Sequence, residues 1–391
     1  MKKKDWIVFI GDLSISYSRG ILRGIAQAIE SQPSLQRYAV YHVDVRELSQ
    51  LETSDVAGAL IGGLSDRPEI IDTLAKWNIP KVDVGGDQAV PWLNWCVRVD
   101  DHAIGQAAAA YLLERGFRRF AFVGHERHLA MARREQSFIS ALGASNQSVE
   151  CFHGSTERVG RRWWPPGMYK WIKRVEKPAA VFCCNDLRAS ALLVACRRAG
   201  IRVPEDIAVL GVDDDDVFAT LQGRPISTVP VPTQTIAAHA MDMLVTLIEG
   251  KKPARKLVQV APQPIITRAS TDVMAVSDEL VRDGLAYIRA NFERGVNIKR
   301  MVNDLAVSRP TLDKRFLEAL GRTPAGEVRR LQLEKTKSLL STTELSMPKV
   351  AMRGGFSSAQ QLSVSFRRMV GMTPMQYRKA YSVRRQHETA M

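Results

Sequence analysis

The chain has 391 residues, too many for one ordinary compact domain and enough for two or three with sizeable cores. Apolar residues make up 45% and charged residues 25%, the balance of a globular protein, and no apolar run approaches the roughly 20 residues that span a bilayer. The basic start Met1-Lys2-Lys3-Lys4 is followed only by the short apolar run Trp6–Ile10 and no small-residue cleavage site, so no signal peptide and a cytoplasmic location are expected. The net charge of +14 is unevenly placed. From Asp278 to Met391 there are 21 Lys and Arg against 11 Asp and Glu, so this stretch carries +10 of the total. A near-neutral body with a basic C-terminal part is the footprint of a domain that meets a polyanion, or of a merely solvated basic surface. The five cysteines lack paired ligand spacing, so neither a disulfide framework nor a zinc site is expected, and Cys183 and Cys184 read as buried strand residues.

The first ~270 residues alternate short β-rich runs with helical patterns. Strands are predicted at Trp6–Ile10, Tyr38–Val43, Val56–Ile61, Lys81–Val84, Phe120–Val123, Ala179–Cys184 and Ile207–Val212. Between them run helical stripes: Ile21, Leu22, Ile25, Ala28 and Ile29; Ala108, Tyr111, Leu112 and Arg115, closed by Gly116; and Leu192, Leu193, Cys196 and Ala199, closed by Gly200. The alternation predicts right-handed βαβ units and parallel sheets, with a ligand beyond the carboxyl ends of the strands. After Lys256–Ala261 and Ile265–Thr267 the strands stop and everything reads as helix. The expected division is a binding domain over 1–272, a linker over 273–279, an all-α domain over 280–385 and a tail over 386–391.

The all-α part contains one motif twice. In the first unit Ile298, Met301, Val302 and Leu305 stripe one helix, and Leu312, Phe316 and Leu317 a second. Ser308 stands as N-cap with Pro310 in the first turn. The second unit starts at the N-cap Ser346, passes through Val350 and Ala351 to the turn Gly354-Gly355, and continues into a helix from near Ser357 with Leu362, Phe366 and Met369 inward. A longer helix over roughly Ala325–Leu340 separates the units. Leu312…Phe316 with Gly321-Arg322-Thr323-Pro324, echoed by Gly355-Phe356…Phe366-Arg367-Arg368 and Gly371-Met372-Thr373-Pro374…Tyr377-Arg378, resembles the AraC family of transcription regulators.

That resemblance implies two helix-turn-helix units, each with its second helix in a major groove of double-stranded DNA, about one helical turn (~34 Å) apart on operator half-sites. The outward positions are Arg309, Thr311, Asp313 and Lys314 in the first unit, and Ser358, Gln360, Gln361 and Val364 in the second. Gln suits adenine, Lys guanine and Val a thymine methyl. Arg315, Arg367, Arg368 and Arg378 suit phosphates. For Thr311 and Ser358 a solvated face is the equal alternative. The first turn has Ala306 where the family has glycine, and a positive φ there costs about 1 kcal/mol. Pro310 also displaces a possible base reader, so the first unit is expected to read bases less fully than the second.

In the N-terminal part, Val99-Asp100-Asp101-His102…Gly105, Val181…Asn185-Asp186, Val203-Pro204…Ile207…Leu210-Gly211-Val212-Asp213-Asp214 and Ser227-Thr228-Val229 resemble the ligand domain of LacI/GalR-type regulators. The implied fold is a two-lobed, periplasmic-binding-protein-like α/β domain, with Ser227–Val229 as the crossing back into the first lobe. The chain begins at a first strand, so the C-terminal units are expected to supply the DNA-binding role that a headpiece has in that family. A LacI-like sensor joined to an AraC-type reader is similar to regulators of xylose operons; Arg133-Arg134-Glu135…Phe138 and Arg268…Asp272 add to the likeness. It implies a sugar effector, D-xylose first, with another pentose, a hexose or a nucleoside as alternatives, and a homodimer on DNA with RNA polymerase as a further partner.

A pyranose presents adjacent hydroxyls to carboxylates, guanidinium and carboxamides, and an apolar face to a ring. Arg134, Asn185, Asp186 and Asp213 are the candidates from one lobe; Asp12, Ser16, Tyr17 and Arg19, after the first strand, are those from the other. Asp186 reads equally as a helix cap, Asp214–Asp216 as a solvated acidic run, Trp163-Trp164 as a stacking ring or a core plug, and Trp92 and Trp95 as packing. No Gly-rich phosphate loop, nucleophile elbow or His-x-x-x-His pair is present, so an enzyme is not expected, nor a cofactor or metal. Gly62-Gly63 and Gly85-Gly86 read as strand-end turns.

Overall fold

The computed structural model describes residues 5–43, 48, 51, 53–62, 68–85, 92–125, 128–154, 167–223, 225–272, 278–292 and 295–381. Trp163 and Trp164, with Gly63, Gly86 and most of the expected linker, lie outside them. The chain separates into two compact units, Met1–Leu112 with Arg118–Asp272, and Leu113–Phe117 with Val273–Met391. No helix among the described residues is long and apolar enough to cross a membrane.

In the first unit, strands β1 (Trp6–Ile10), β2 (Ala39–Val43), β3 (Val56–Ile61), β4 (Lys81–Asp83), β5 (Cys96–Val99), β6 (Phe120–Gly124), β7 (Val149–His153), β8 (Ala179–Cys183), β9 (Ile207–Asp213), β10 (Ser227–Pro230) and β11 (Leu257–Val260) form two sheets. One has the order β11-β5-β4-β3-β1-β2 and the other β10-β9-β8-β6-β7, and every pairing of named strands is parallel. Each sheet has its own core: Val8, Ile10, Val56, Ala59, Ile61 and Leu74 in lobe 1, and Val123, Val181, Leu192, Cys196, Ile207 and Val209 in lobe 2. Fully buried runs such as Val56–Ile61 and Phe120–Gly124 are hydrophobic throughout rather than alternating, as parallel strands covered on both faces require.

The helices α1 (Ser16–Ser31), α2 (Pro68–Ala75), α3 (Asp101–Glu114), α4 (Leu129–Gly143), α5 (Met168–Arg174), α6 (Asp186–Arg198) and α7 (Thr233–Ile248) lie between these strands. α3 carries the chain from lobe 1 to lobe 2. Ser227–Pro230 is itself the edge strand of lobe 2, and the return to lobe 1 follows it, through α7 and β11. The crossing therefore lies just after the segment where the sequence suggests it. Strands β5 and β7 go unpredicted: β5 is short and interrupted by Arg98, and β7 has no fully buried residue.

The second unit holds α8 (Glu279–Asn291), α9 (Ile298–Asp304), α10 (Arg309–Leu320), α11 (Pro324–Thr342), α12 (Met347–Arg353), α13 (Ala359–Val370) and α14 (Pro374–Tyr381). It has two small cores, one of Val281, Leu285, Ile288, Met301, Leu312 and Phe316, the other of Leu340, Val350, Ala351, Leu362, Phe366 and Tyr377. The 19 residues of α11 span about 28 Å between them. At its start Glu327 is fully buried and accepts from Arg322 (2.5 Å) and Arg330 (2.6 and 2.9 Å). Burial alone would raise its carboxyl, but the two guanidinium groups outweigh that and hold it below the ordinary value.

The doubled Gly-x-Thr-Pro ending has a mechanical explanation. Gly321 (φ 69°) and Gly371 (φ 80°) close their helices in the left-handed conformation that only glycine adopts readily. Thr323 then caps α11 by accepting from Gly326 N, and Thr373 accepts from Gln376 N while Gln376 Oε1 accepts from Thr373 N. Pro324 and Pro374 occupy first positions where a missing N–H is harmless.

In the first helix-turn-helix the turn residue Ala306 has φ 51°, a conformation in which its Cβ crowds the backbone; the corresponding turn of the second unit uses Gly355 at φ 76°. Ala306→Gly is therefore expected to stabilise the C-terminal unit by about 1 kcal/mol, read as a higher urea midpoint with unchanged slope. A loss of stability would show that the turn is not strained.

Candidate functional site

The carboxyl ends of β8 and β9, neighbours in the lobe 2 sheet, carry the candidate carboxylates. β8 runs into Cys184 and Asn185, and Asn185 Oδ1 caps α6 by accepting from Arg188 N (2.9 Å). The cap is thus Asn185 and not Asp186. Asp186, one residue on, is fully buried: Oδ2 accepts from Asp215 N (2.9 Å) and Thr228 Oγ1 (3.1 Å), while Oδ1 has no hydrogen-bond partner among the described residues. Its Oδ1 lies 2.0 Å from where a Cβ on Gly211 would stand, so the glycine of the Gly211-Val212-Asp213 segment is the space into which Asp186 fits. Burial, then the charge of Asp213, pushes the Asp186 carboxyl well above the ordinary range.

Asp213 ends β9 with φ 106° and Asp214 follows at φ 57°. The Asp213 side chain is 11% exposed and lies 4.0 Å from Arg134 Nη1. Arg134, on α4 and 7% exposed, donates through Nε to Asp101 Oδ1 (2.9 Å) and through Nη1 to Cys184 O (2.7 Å). Asp101 opens α3 and also accepts from Arg133 Nε (3.2 Å). Burial lifts Asp213 to about 7, against the pull of Arg134 and helped by Asp215 and Asp101. A carboxyl in this state changes charge near neutral pH, next to a guanidinium with a fixed plane of donors.

From lobe 1, Tyr17 on α1 is half-buried and donates its hydroxyl to Val84 O (2.5 Å). Burial raises its pKa well above the usual value, followed by the charges of Asp83 and Asp101; Arg134 opposes them, so Tyr17 lies within electrostatic reach of the lobe 2 guanidinium. Arg19 donates to Leu13 O and Ser14 O (both 2.9 Å), and its Nη2 stands 3.5 Å from Asp215 Oδ2, bridging the two lobes. Asp12 shapes the same loop by accepting from Ser14 N (2.8 Å), and Ser16 is the half-buried first residue of α1.

The structure thus gathers Tyr17, Arg134, Asp186 and Asp213, while Asn185 and Asp12 make local bonds. It adds Asp101, Asp83, Asp215 and Thr228, which sequence reasoning missed. The reading of Asp214–Asp216 as a solvated run is corrected: Asp214 pairs with Arg268 (2.5 Å), Asp215 is buried and caps the turn by accepting from Val217 N and Phe218 N, and only Asp216 is exposed.

In the second unit, Arg309, Thr311, Lys314 and Arg315 of α10 are exposed and Asp313 half-exposed. Three of these cations face acids: Arg309–Asp313 (2.8 Å), Lys314–Glu318 (3.9 Å) and Arg315–Asp278 (3.0 Å). Thr311 N donates to the Ser308 cap (3.2 Å). In the second helix-turn-helix Ser358 is the exposed cap, accepting from Gln361 N (3.1 Å), and α13 begins one residue later. Gln361 Oε1 accepts from Ser357 N (2.8 Å). Gln360, Arg367 and Arg368 are exposed, and Val364 is 66% exposed in mid-helix.

Asp213 generates a pH signature. Its ordinary carboxyl value is 3.8 and its folded value about 7, so between these the native state holds a proton that the unfolded chain has released. The stability this group contributes is complete below about pH 4 and is lost as pH rises toward 7. Asp213→Asn, which mimics the protonated acid, is expected to flatten the fall in denaturation midpoint between pH 4.5 and 7.5. An undiminished slope in the variant would assign the titration elsewhere.

Residues 109–271 match the periplasmic binding protein-like domain family, and residues 301–380 match a helix-turn-helix domain family. The chain is similar to the xylose operon regulatory protein of Haemophilus influenzae, 26% identical over 93% of this chain and 95% of the relative. The xylose operon regulatory protein of Escherichia coli strain K12 is 24% identical over 97% and 98%. A solved structure of the xylose-binding transcription activator xylR has the same fold, with a TM-score of 0.63 at 24% identity, covering 97% of this chain and 99% of that one. The chain therefore joins a periplasmic binding protein-like domain to a helix-turn-helix domain.

Proposed function

We propose that the chain is a sequence-specific DNA-binding regulator of transcription, acting in the cytoplasm as a homodimer and controlled by a small sugar held between the lobes. The observation that carries the sugar site is the enclosed corner of Arg134 and Asp213, at strand ends of one lobe and within electrostatic reach of Tyr17 from the other. Carboxylate and guanidinium on adjacent hydroxyls are the chemistry of carbohydrate recognition. D-xylose is the first candidate because the relatives spanning nearly the whole chain are named for xylose operons. Another pentose, a hexose or a nucleoside are the alternatives. The protein needs no cofactor in this reading and carries out no reaction.

Sugar favours the closed state because only closure brings both sets of polar groups onto one ligand. Arg19 and Asp215 already span the gap and favour the same movement. Closure alters the geometry of the paired DNA-binding units and thereby affinity for operator half-sites, with RNA polymerase as the downstream partner.

On DNA, α13 reads bases: Gln360 on an adenine edge and Val364 on a thymine methyl, while Gln361, whose Oε1 accepts from Ser357 N and Oγ, offers only its amide donors. Arg367, Arg368 and Arg315 hold phosphates. In α10 the candidates Arg309, Thr311, Asp313 and Lys314 are engaged within the protein or beside the cap, so this unit contributes more to position than to sequence.

A thermal-shift panel of pentoses, hexoses and nucleosides tests the effector. D-xylose is expected to raise the melting temperature of the wild-type chain, and Asp213→Ala to remove the shift. A shift with a different compound alone would replace xylose as effector; a shift with none would sink the sensing role.

For the DNA half, Gln360→Ala is expected to weaken operator binding by about 1–3 kcal/mol and relax one base position. Arg367→Ala should weaken all sequences alike and lower the salt slope by about 1. Uniform loss from Gln360→Ala would mean that α13 does not read bases.

A further inference from the structure

The corner that carries Asp213 is joined to the last residues of the first unit by an unbroken set of polar contacts. Ser227 and Thr228 are neighbours on β10, both fully buried, so their hydroxyls face opposite sides of the sheet. Thr228 Oγ1 serves the corner: it donates to Asp186 Oδ2 (3.1 Å) and accepts from Asp214 N (3.2 Å). Ser227 Oγ serves the exit segment: it accepts from Arg268 N (2.7 Å) and from Thr271 Oγ1 (2.6 Å). Tyr111, on α3, bonds Thr267 Oγ1 (3.0 Å) and Thr271 Oγ1 (2.6 Å). Asp101 opens the same helix and holds Arg134 at the corner.

Arg268 closes the circuit. Its Nη2 donates to Asp214 Oδ1 (2.5 Å) and its Nη1 to Ile226 O (3.0 Å). Asp214, like Asp213, has a positive φ that non-glycine residues rarely adopt, so the corner keeps its shape only while its surroundings hold it. Ser270 Oγ, donating to Val209 O (2.5 Å), zips the exit segment along β9. Residues 268–271, the end of the first unit, are therefore fastened to the corner.

We infer that Arg268, Thr271 and Tyr111 are positioning residues that hold the Asp213 corner in its left-handed shape and transmit its state to the chain entering the DNA-binding half. The inference rests on the sugar-controlled reading for its purpose, but the tie itself is testable without any sugar. Tyr111→Phe removes one hydroxyl and keeps the ring. Arg268→Gln removes the charge and keeps the backbone bond to Ser227.

The test uses the full chain in two measurements. First, hydrogen exchange by mass spectrometry without sugar: Arg268→Gln is expected to speed exchange at Asp213–Asp215 and Ile226–Thr228 about tenfold, and Tyr111→Phe about threefold, with Trp6–Ile10 of lobe 1 unchanged. Unaltered exchange at the corner in both variants, or equal acceleration in lobe 1, overturns the tie. Second, operator affinity without and with saturating D-xylose: in Tyr111→Phe the sugar-dependent ratio of DNA affinities is expected to fall about fivefold. An unchanged ratio overturns transmission. If D-xylose does not bind the wild-type chain, the xylose reading fails separately and the exchange experiment still decides the tie. Should Arg268→Gln fail to fold, Tyr111→Phe alone carries both measurements.

Discussion

Two carboxyl groups, Asp186 and Asp213, are buried at the ends of adjacent strands, and of the two only Asp213 has a guanidinium, Arg134, within 4.0 Å among the described residues. A charge moved out of water must be paired or neutralised. For Asp186, burial and its acidic neighbour Asp213 push the pKa up, toward the neutral form, and its oxygen fills the space left by the missing side chain of Gly211. Asp213 is held between the two routes, with Arg134 favouring its charge and burial opposing it. The corner is consequently sensitive to anything that brings new donors to it, as a polyhydroxylated ligand does.

The same logic of local engagement separates the two helix-turn-helix units. In α10 the cations Arg309, Lys314 and Arg315 each stand beside an acid of the same domain, and the turn before it bears a strained alanine. In α13 the outward face carries Gln360, an exposed valine and two arginines, beyond a glycine turn and a Ser358 cap. An exposed apolar residue in mid-helix costs little in water and matches the methyl edge of a major groove. In the proposed reading this asymmetry gives recognition mainly to the second unit and anchoring to the first.

Much of this was legible in the sequence where the signal is local. The parallel strands β1, β3, β6, β8 and β9 announce themselves as uninterrupted apolar runs, and the cap Ser308 and the closing glycines Gly116 and Gly200 mark helix ends from spacing alone. Ala306 betrays its strain because the motif has glycine there. Long-range facts were not legible. Asp101 joins Arg134 only once α3 carries the chain between lobes, and Asp215 reads as solvated until folding places Asp186 and Arg19 against it. The strand β7 lies at a sheet edge with no fully buried residue, so its periodicity is faint. Ser358 reads equally well as a base contact or a solvated position, and its role as the cap of α13 shows only in the backbone.

The central claim is that one chain couples a sugar-binding corner to a DNA-binding half, and linkage makes it directly measurable. D-xylose would be titrated into the full-length protein by calorimetry, once alone and once saturated with its operator, alongside operator titrations with and without the sugar. The account predicts that DNA changes the sugar affinity by the same factor as sugar changes the DNA affinity, with that factor clearly different from one. Sugar binding that is identical with and without operator would contradict it.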